Sequence, residues 1–121
     1  MDSGMFLPLQ LAAVKALNNP PTWYIEINEI YKKRKQVAFE IMDLLKCRYD
    51  QQQVGMFIWA KVPDKYEGSE ELSEMILQKA NVFITPGFIF GSNGDRYLRI
   101  SLCSTEEVLK ESKERIKNIG I

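Results

Sequence analysis

Histidine is absent from the 121 residues, and cysteine occurs only twice. Without histidine there is no Ser-His-Asp or Cys-His catalytic pair and no His-ligated zinc. Cys47 and Cys103 lie far apart and match no metal-ligand spacing, so both are expected to be reduced, buried thiols of a cytoplasmic protein. Excess charge is also missing: 16 Lys+Arg stand against 16 Asp+Glu. A nucleic-acid or anionic-membrane partner is therefore not expected, because both select for a surplus of basic residues. No apolar run approaches the roughly 18 to 20 residues that cross a bilayer. The chain does not open on a basic region followed by an apolar stretch and a cleavage site, so no signal peptide is expected. It also lacks the Walker lysine motif and Gly-x-Gly-x-x-Gly, and it has no internal repeat, low-complexity tract or linker. The apolar share is 45%, in a length that supports one domain over residues 1–121 with a single core.

The elements follow from periodicity and punctuation. Met5-Phe6-Leu7 is a dense apolar cluster near a terminus, where loose polar sequence is usual, so it is expected to need a surface to sit on. Pro8 suits a first helical turn, and Leu9, Ala12, Ala13, Ala16 and Leu17 follow at helical spacing until Asn18-Asn19-Pro20-Pro21 stops them. Thr22 is the expected cap of a long helix to about Lys46, with Trp23, Ile27, Ile30, Val37, Ile41 and Leu44 as its apolar stripe. Residues 54–62 read as a buried strand. Ser69 is expected to cap a short helix carrying Leu72, Met75, Ile76 and Ala80, closed by Asn81. Residues 82–85 and 97–102 read as two further strands, separated by the turn-forming loop at 91–95. Ser104 to Glu107 reads as a capping box for a last helix that buries Val108, Leu109, Ile116 and Ile119 and stops at Gly120. This order predicts an α+β fold: a small, mainly antiparallel or mixed sheet of about three strands packed against helices, one of them long.

Little in this chain forms an active site unaided. Glu70-Glu71 and Glu106-Glu107 fall in first helical turns, where acidic residues favour the helix dipole. The glycines from Gly87 to Gly94 read first as turns between strands. Trp23 and Trp59 read as core aromatics, and residues 32–35, Lys-Lys-Arg-Lys, as a solvated helix face. Arg99 is the informative residue. Period-two alternation sends Leu98, Ile100 and Leu102 to the core and Tyr97, Arg99 and Ser101 to the other face. A mid-strand arginine there must be solvated, ion-paired or bound to an anion, and guanidinium matches a carboxylate bidentately.

Three segments together resemble the class I/II pyridoxal-phosphate-dependent aminotransferases, which share the aspartate aminotransferase fold, in their C-terminal small domain. They are Asp2-Ser3-Gly4-Met5-Phe6 with Pro8 and Gln10-Leu11-Ala12-Ala13; Gly55-Met56-Phe57-Ile58-Trp59; and Thr85-Pro86-Gly87-Phe88-Ile89-Phe90-Gly91 leading through Gly94 to Tyr97-Leu98-Arg99-Ile100-Ser101-Leu102. The resemblance implies that Arg99 binds the α-carboxylate of an amino-acid substrate in a parent enzyme. It implies Phe90 as a wall of the substrate pocket, with the domain closing over the active site. It also implies amino acid and 2-oxo acid as substrates, pyridoxal phosphate as cofactor, and a large domain and a homodimer partner as neighbours. Gln52-Gln53-Val54 replaces a segment where the family often has proline, and Phe88 and Ile89 are bulkier than usual; both bear on side-chain specificity.

The family's cofactor lysine has no counterpart here. Ser112-Lys113 with Gly120 resembles its setting only superficially, lying in an amphipathic helix with no arginine following the glycine. The large domain is expected before Asp2, Met1 is expected to be an added start residue, and the isolated chain is expected to bind no cofactor and to be inactive. Two other readings stay open: a stand-alone α+β amino-acid-binding or interaction module using Arg99, and a scaffold with Arg99 in an internal salt bridge.

Overall fold

Prolines 20 and 21 divide the N-terminal helical sequence in a computed structural model that describes residues 4–120, so the expectations about Met1 and Asp2 lie outside the described residues. Helix α1 spans Leu7–Leu17 and α2 spans Pro21–Leu44. Strand β1 (Phe57–Lys61), helix α3 (Ser69–Ala80), strand β2 (Thr85–Pro86), two short 3-10 turns (Gly87–Phe90 and Ser92–Gly94), strand β3 (Tyr97–Ser101) and helix α4 (Glu106–Asn118) follow. The chain separates into two compact units, with the division between Ile30 and Tyr31 inside α2.

In the first unit, every residue of α1 is exposed. Local hydrogen bonds hold its ends: Gln10 Nε2 donates to the Met5 carbonyl at 2.6 Å, and Asn18 Nδ2 donates to the Val14 carbonyl at 2.9 Å. Tyr24 Oη donates to the Ala16 carbonyl at 3.1 Å, joining the start of α2 to α1. Trp23 and Ile30, expected in the core, are each 45% exposed. A helical stripe of apolar residues shows that a face seeks cover but not which surface supplies it.

The second unit is a three-stranded antiparallel sheet in the order β1-β3-β2. This is the α+β architecture expected from sequence, with the late strand β3 at its centre. One face is the core: Ile58, Ala60, Leu98 and Ile100 meet Val37, Ala38, Ile41 and Met42 of α2, Leu72 and Ile76 of α3, and Leu109 and Ile116 of α4. The alternation expected for β3 therefore holds. Val108 instead points outward at 52% exposure.

Several boundaries move for identifiable reasons. Residue 54 is 90% exposed, and Gly55, at φ 92°, turns the chain so that β1 begins only at Phe57. The Gln53 carboxamide accepts from the Trp59 N–H at 2.8 Å and donates to its carbonyl at 3.2 Å, which satisfies the outer edge of β1. The expected strand at 82–85 shrinks to Thr85–Pro86. Ser73 Oγ donates to the Ile84 carbonyl at 2.6 Å, fastening the preceding segment to α3 rather than to β3. Helix α2 ends at Leu44 because Lys46 takes a left-handed turn (φ 56°), with Lys46 N–H on the Asp43 carbonyl and Cys47 N–H on the Met42 carbonyl. Gly68, not Ser69, is the N-cap of α3, and Thr105, not Ser104, caps α4 by accepting from the Val108 N–H at 3.4 Å. Asn81 and Gly120 take the left-handed stops expected of them.

The basic run at 32–35 is not simply a solvated face. Arg34 Nη1 donates to the Leu102 carbonyl at 2.9 Å and Lys35 Nζ to the Gln53 carbonyl at 2.5 Å, tying α2 to both ends of the sheet connections. The cysteines also differ from expectation: Cys47 is buried but Cys103 is exposed. Burial pushes the Cys47 thiol up to about 12. Because the folded-state value is raised, the neutral thiol's contribution is fully present below the ordinary thiol range and is lost as pH rises toward about 12. Brief alkylation of the native chain at mildly alkaline pH is expected to label Cys103 and spare Cys47, with both labelled after denaturation, as read by peptide mass spectrometry. Equal labelling of both in the native chain would contradict this burial. Among the described residues, no helix is long and apolar enough to cross a membrane.

Candidate functional site

The sheet face opposite the core carries Phe57, Trp59 and Lys61 from β1, Tyr97, Arg99 and Ser101 from β3, and Thr85 from β2. Antiparallel register places Trp59 and Thr85 on either side of Arg99, and Ser101 opposite Phe57. Trp59 is therefore half-buried on the site face rather than in the core, because residues 58 and 60 take the inward positions.

Arg99 is half-buried, and its Nε is shut off from solvent without a hydrogen-bond partner. Among the described residues, the Arg99 side chain forms no hydrogen bond or ion pair with an acceptor, so the internal salt bridge of the scaffold reading is not seen there. Its guanidinium instead lies against two aromatic rings, with Cζ 4.3 Å from the Phe57 centroid and 4.1 Å from the Phe90 centroid. A desolvated, unbonded donor costs about 1–3 kcal/mol, while a cation–π contact returns about 0.5–1 kcal/mol at a partly wet site. The two contacts offset much of that cost but leave the N–H groups free to bond.

The expected site residues Arg99 and Phe90 are thus brought into direct contact. Phe57 is a site residue that the sequence did not single out. Its shared parity with Trp59 puts it on the outer face, but only the β1–β3 register sets it beside Arg99. The position of Phe90 depends on the loop from Pro86 to Gly94. Trp59 meets the Phe90 ring edge-on, with centroids 5.6 Å apart. Gly87 and Gly94 lie so close that a Cβ on Gly87 would come within 2.5 Å of the Gly94 carbonyl oxygen and 2.7 Å of the Tyr97 carbonyl oxygen. The glycines expected only as turn residues therefore also serve close backbone approach. A cavity of about 380 Å³ borders Arg99 on the β2 side, between residues 81–85, β3 and α4.

Lys113 does not resemble a free amine. Its Nζ lies 3.1 Å from Glu40 Oε2. Hydrogen bonding from Lys113 holds the Glu40 carboxyl below the ordinary carboxylate range. Ser112 Oγ donates to the Val108 carbonyl within α4.

With strand register, glycine-lined loop and half-buried arginine in place, the class is defined by comparison with known proteins. Residues 5–116 match the family described as aminotransferase class I and II, and the chain belongs to that family. It is 38% identical over 121 residues to the LL-diaminopimelate aminotransferase of Halothermothrix orenii, covering 100% of this chain and 31% of that protein. It is 36% identical over 119 residues to the transaminase BacF of Bacillus subtilis, covering 98% of this chain and 30% of BacF. The substrate-bound structure of BacF superimposes with a TM-score of 0.79, over 98% of this chain and 30% of that one. An aminotransferase from Staphylococcus aureus superimposes with a TM-score of 0.78 at 29% identity, over 98% of this chain and 31% of that one. The chain thus spans about a third of the length of the relatives it matches.

Proposed function

We propose that the chain is the C-terminal small domain of an aminotransferase that moves an amino group between an amino acid and a 2-oxo acid. In this reading Arg99 binds the substrate α-carboxylate and Phe90 forms part of the pocket wall. The observation that carries it is the Arg99 guanidinium itself, half-buried with a desolvated Nε, in contact with two rings and without an acceptor among the described residues. A bidentate carboxylate supplies the missing acceptors and neutralises the charge. Binding there ties substrate capture to movement of the domain that carries Arg99, and the domain closes over the reacting groups and excludes water.

Family membership implies pyridoxal phosphate in the parent protein. The described residues do not fit that cofactor. Lys113 is engaged by Glu40, and the strands contribute to the Arg99 face one lysine, Lys61, opposite Tyr97. The cofactor and its lysine are assigned to a large domain outside this sequence, and the isolated chain is inactive. Met5, Phe6 and Leu7, each more than 60% exposed at 67%, 68% and 62%, meet that large domain or a homodimer partner. The parent works in the cytoplasm, and neither nucleic acid nor membrane takes part.

The test is the reading frame upstream of this chain. Expression of a continuous longer frame is expected to yield a protein with a lysine-linked pyridoxal absorbance and amino transfer to a 2-oxo acid, whereas residues 1–121 alone show neither. An isolated frame whose 121-residue product binds amino acids through Arg99 would instead establish the stand-alone module.

A further inference from the structure

Arg99 has no acceptor bond among the described residues to fix its orientation, yet its guanidinium sits against two rings, 4.3 Å from Phe57 and 4.1 Å from Phe90. The rings arrive independently. Phe57 comes from β1, two residues before Trp59, the residue opposite Arg99; Phe90 comes from the 3-10 turn that follows β2. Neither ring is spent on the core, since Phe57 is 36% and Phe90 50% exposed. Phe90 is itself held by the edge contact with Trp59 and by the tight Gly87–Gly94 approach.

We propose that Phe57 and Phe90 are positioning residues for Arg99: together they fix the plane of its guanidinium, so that the unbonded N–H edge is presented before a carboxylate arrives. This rests on the reading of Arg99 as the carboxylate ligand and adds what prepares it. Stacking uses the faces of the guanidinium and leaves its in-plane donors free. A side chain already held in place loses less freedom on binding, so affinity rises without a new contact to the ligand. Tyrosine preserves the stacking surface at either position; leucine preserves bulk and removes it.

The experiment uses the chain itself and NMR relaxation of the Arg99 Nε–Hε group. The expected result is a side chain as rigid as the β3 backbone in the wild type, mobile in Phe57→Leu and in Phe90→Leu, and rigid again in the two Phe→Tyr variants. A mobile Arg99 in the wild type, or equal rigidity in the Leu variants, would overturn the proposal. Should one Leu variant lose the native amide pattern, the other Leu variant, compared with the wild type, decides in the same way. Acetate titration at constant ionic strength, followed at the same signal, separates the two readings. A saturable shift that weakens about two- to fivefold in each Leu variant supports both. No saturable shift in a wild type whose Arg99 is rigid removes the carboxylate assignment and leaves the positioning intact. A saturable shift of equal strength in wild type and Leu variants removes the positioning role alone.

Discussion

Replacing Arg99 by alanine in the full-length protein that carries this chain is expected to lower kcat/KM for amino transfer by about thirty- to several-thousand-fold. That corresponds to the roughly 2–5 kcal/mol lost when one partner of a hydrogen-bonded charge pair is truncated. The effect is specific because Arg99 has no ion pair to lose among the described residues. It contributes two ring contacts and occupies an outer-face position, so the stability change of the variant stays near 1 kcal/mol. Arg99→Lys is expected to fall between wild type and alanine. An ammonium keeps the charge but not the planar fork that matches two carboxylate oxygens. A carboxylate contact present in both ground and transition states raises KM, whereas a fall in kcat reports the loss of closure or orientation. Steady-state kinetics with a varied amino donor separates the two.

The second large effect is expected at the loop glycines. In Gly94→Ala the new Cβ falls onto the Gly87 carbonyl, and in Gly87→Ala it meets two backbone oxygens, at 2.5 and 2.7 Å, and the Trp59 ring at 3.1 Å. Backbone oxygens cannot rotate away as a side chain would, so the loop must open. The expected cost is about 1–3 kcal/mol, or about 5–15 °C in the melting temperature of the chain. Because Phe90 rides on this loop, the substitution also lifts one ring from Arg99. Thermal unfolding by circular dichroism measures the first consequence, and carboxylate binding measures the second. A melting temperature within a degree of wild type would show that the loop relaxes freely and that the close approach is incidental.

The parts of this molecule legible in its sequence are those decided by local period. Leu98, Ile100 and Leu102 alternate with Tyr97, Arg99 and Ser101, and all three of the first set are buried. Leu72, Ile76 and Ala80 mark the inner side of α3 just as their spacing indicates. The Arg99 position and its loop were legible as a resemblance because order and spacing cover nearly the whole chain. What escaped depends on register or on long-range hydrogen bonds. Phe57 joins the site only through its pairing with Ser101. The strand at 82–85 reads as apolar and β-branched, but a single Ser73 hydroxyl, eleven residues away, redirects it. Trp59 looks like core in a run of apolar residues, yet one-residue alternation turns it to the site face. Trp23, Ile30 and the α1 residues carry a helical apolar pattern yet stay exposed in the first unit, because period alone does not say what covers a face.

The most direct measurement is a double-substitution cycle on the full-length protein: kcat/KM of wild type and Arg99→Ala, each with an amino acid and with its carboxamide analogue. The carboxamide removes one acceptor oxygen and the negative charge while keeping the amino group and the side chain. The expected result is strong coupling, in which Arg99→Ala cripples the carboxylate substrate and barely affects the carboxamide. Equal losses on both substrates would mean that Arg99 does not contact the carboxylate, and would contradict the assignment of this site.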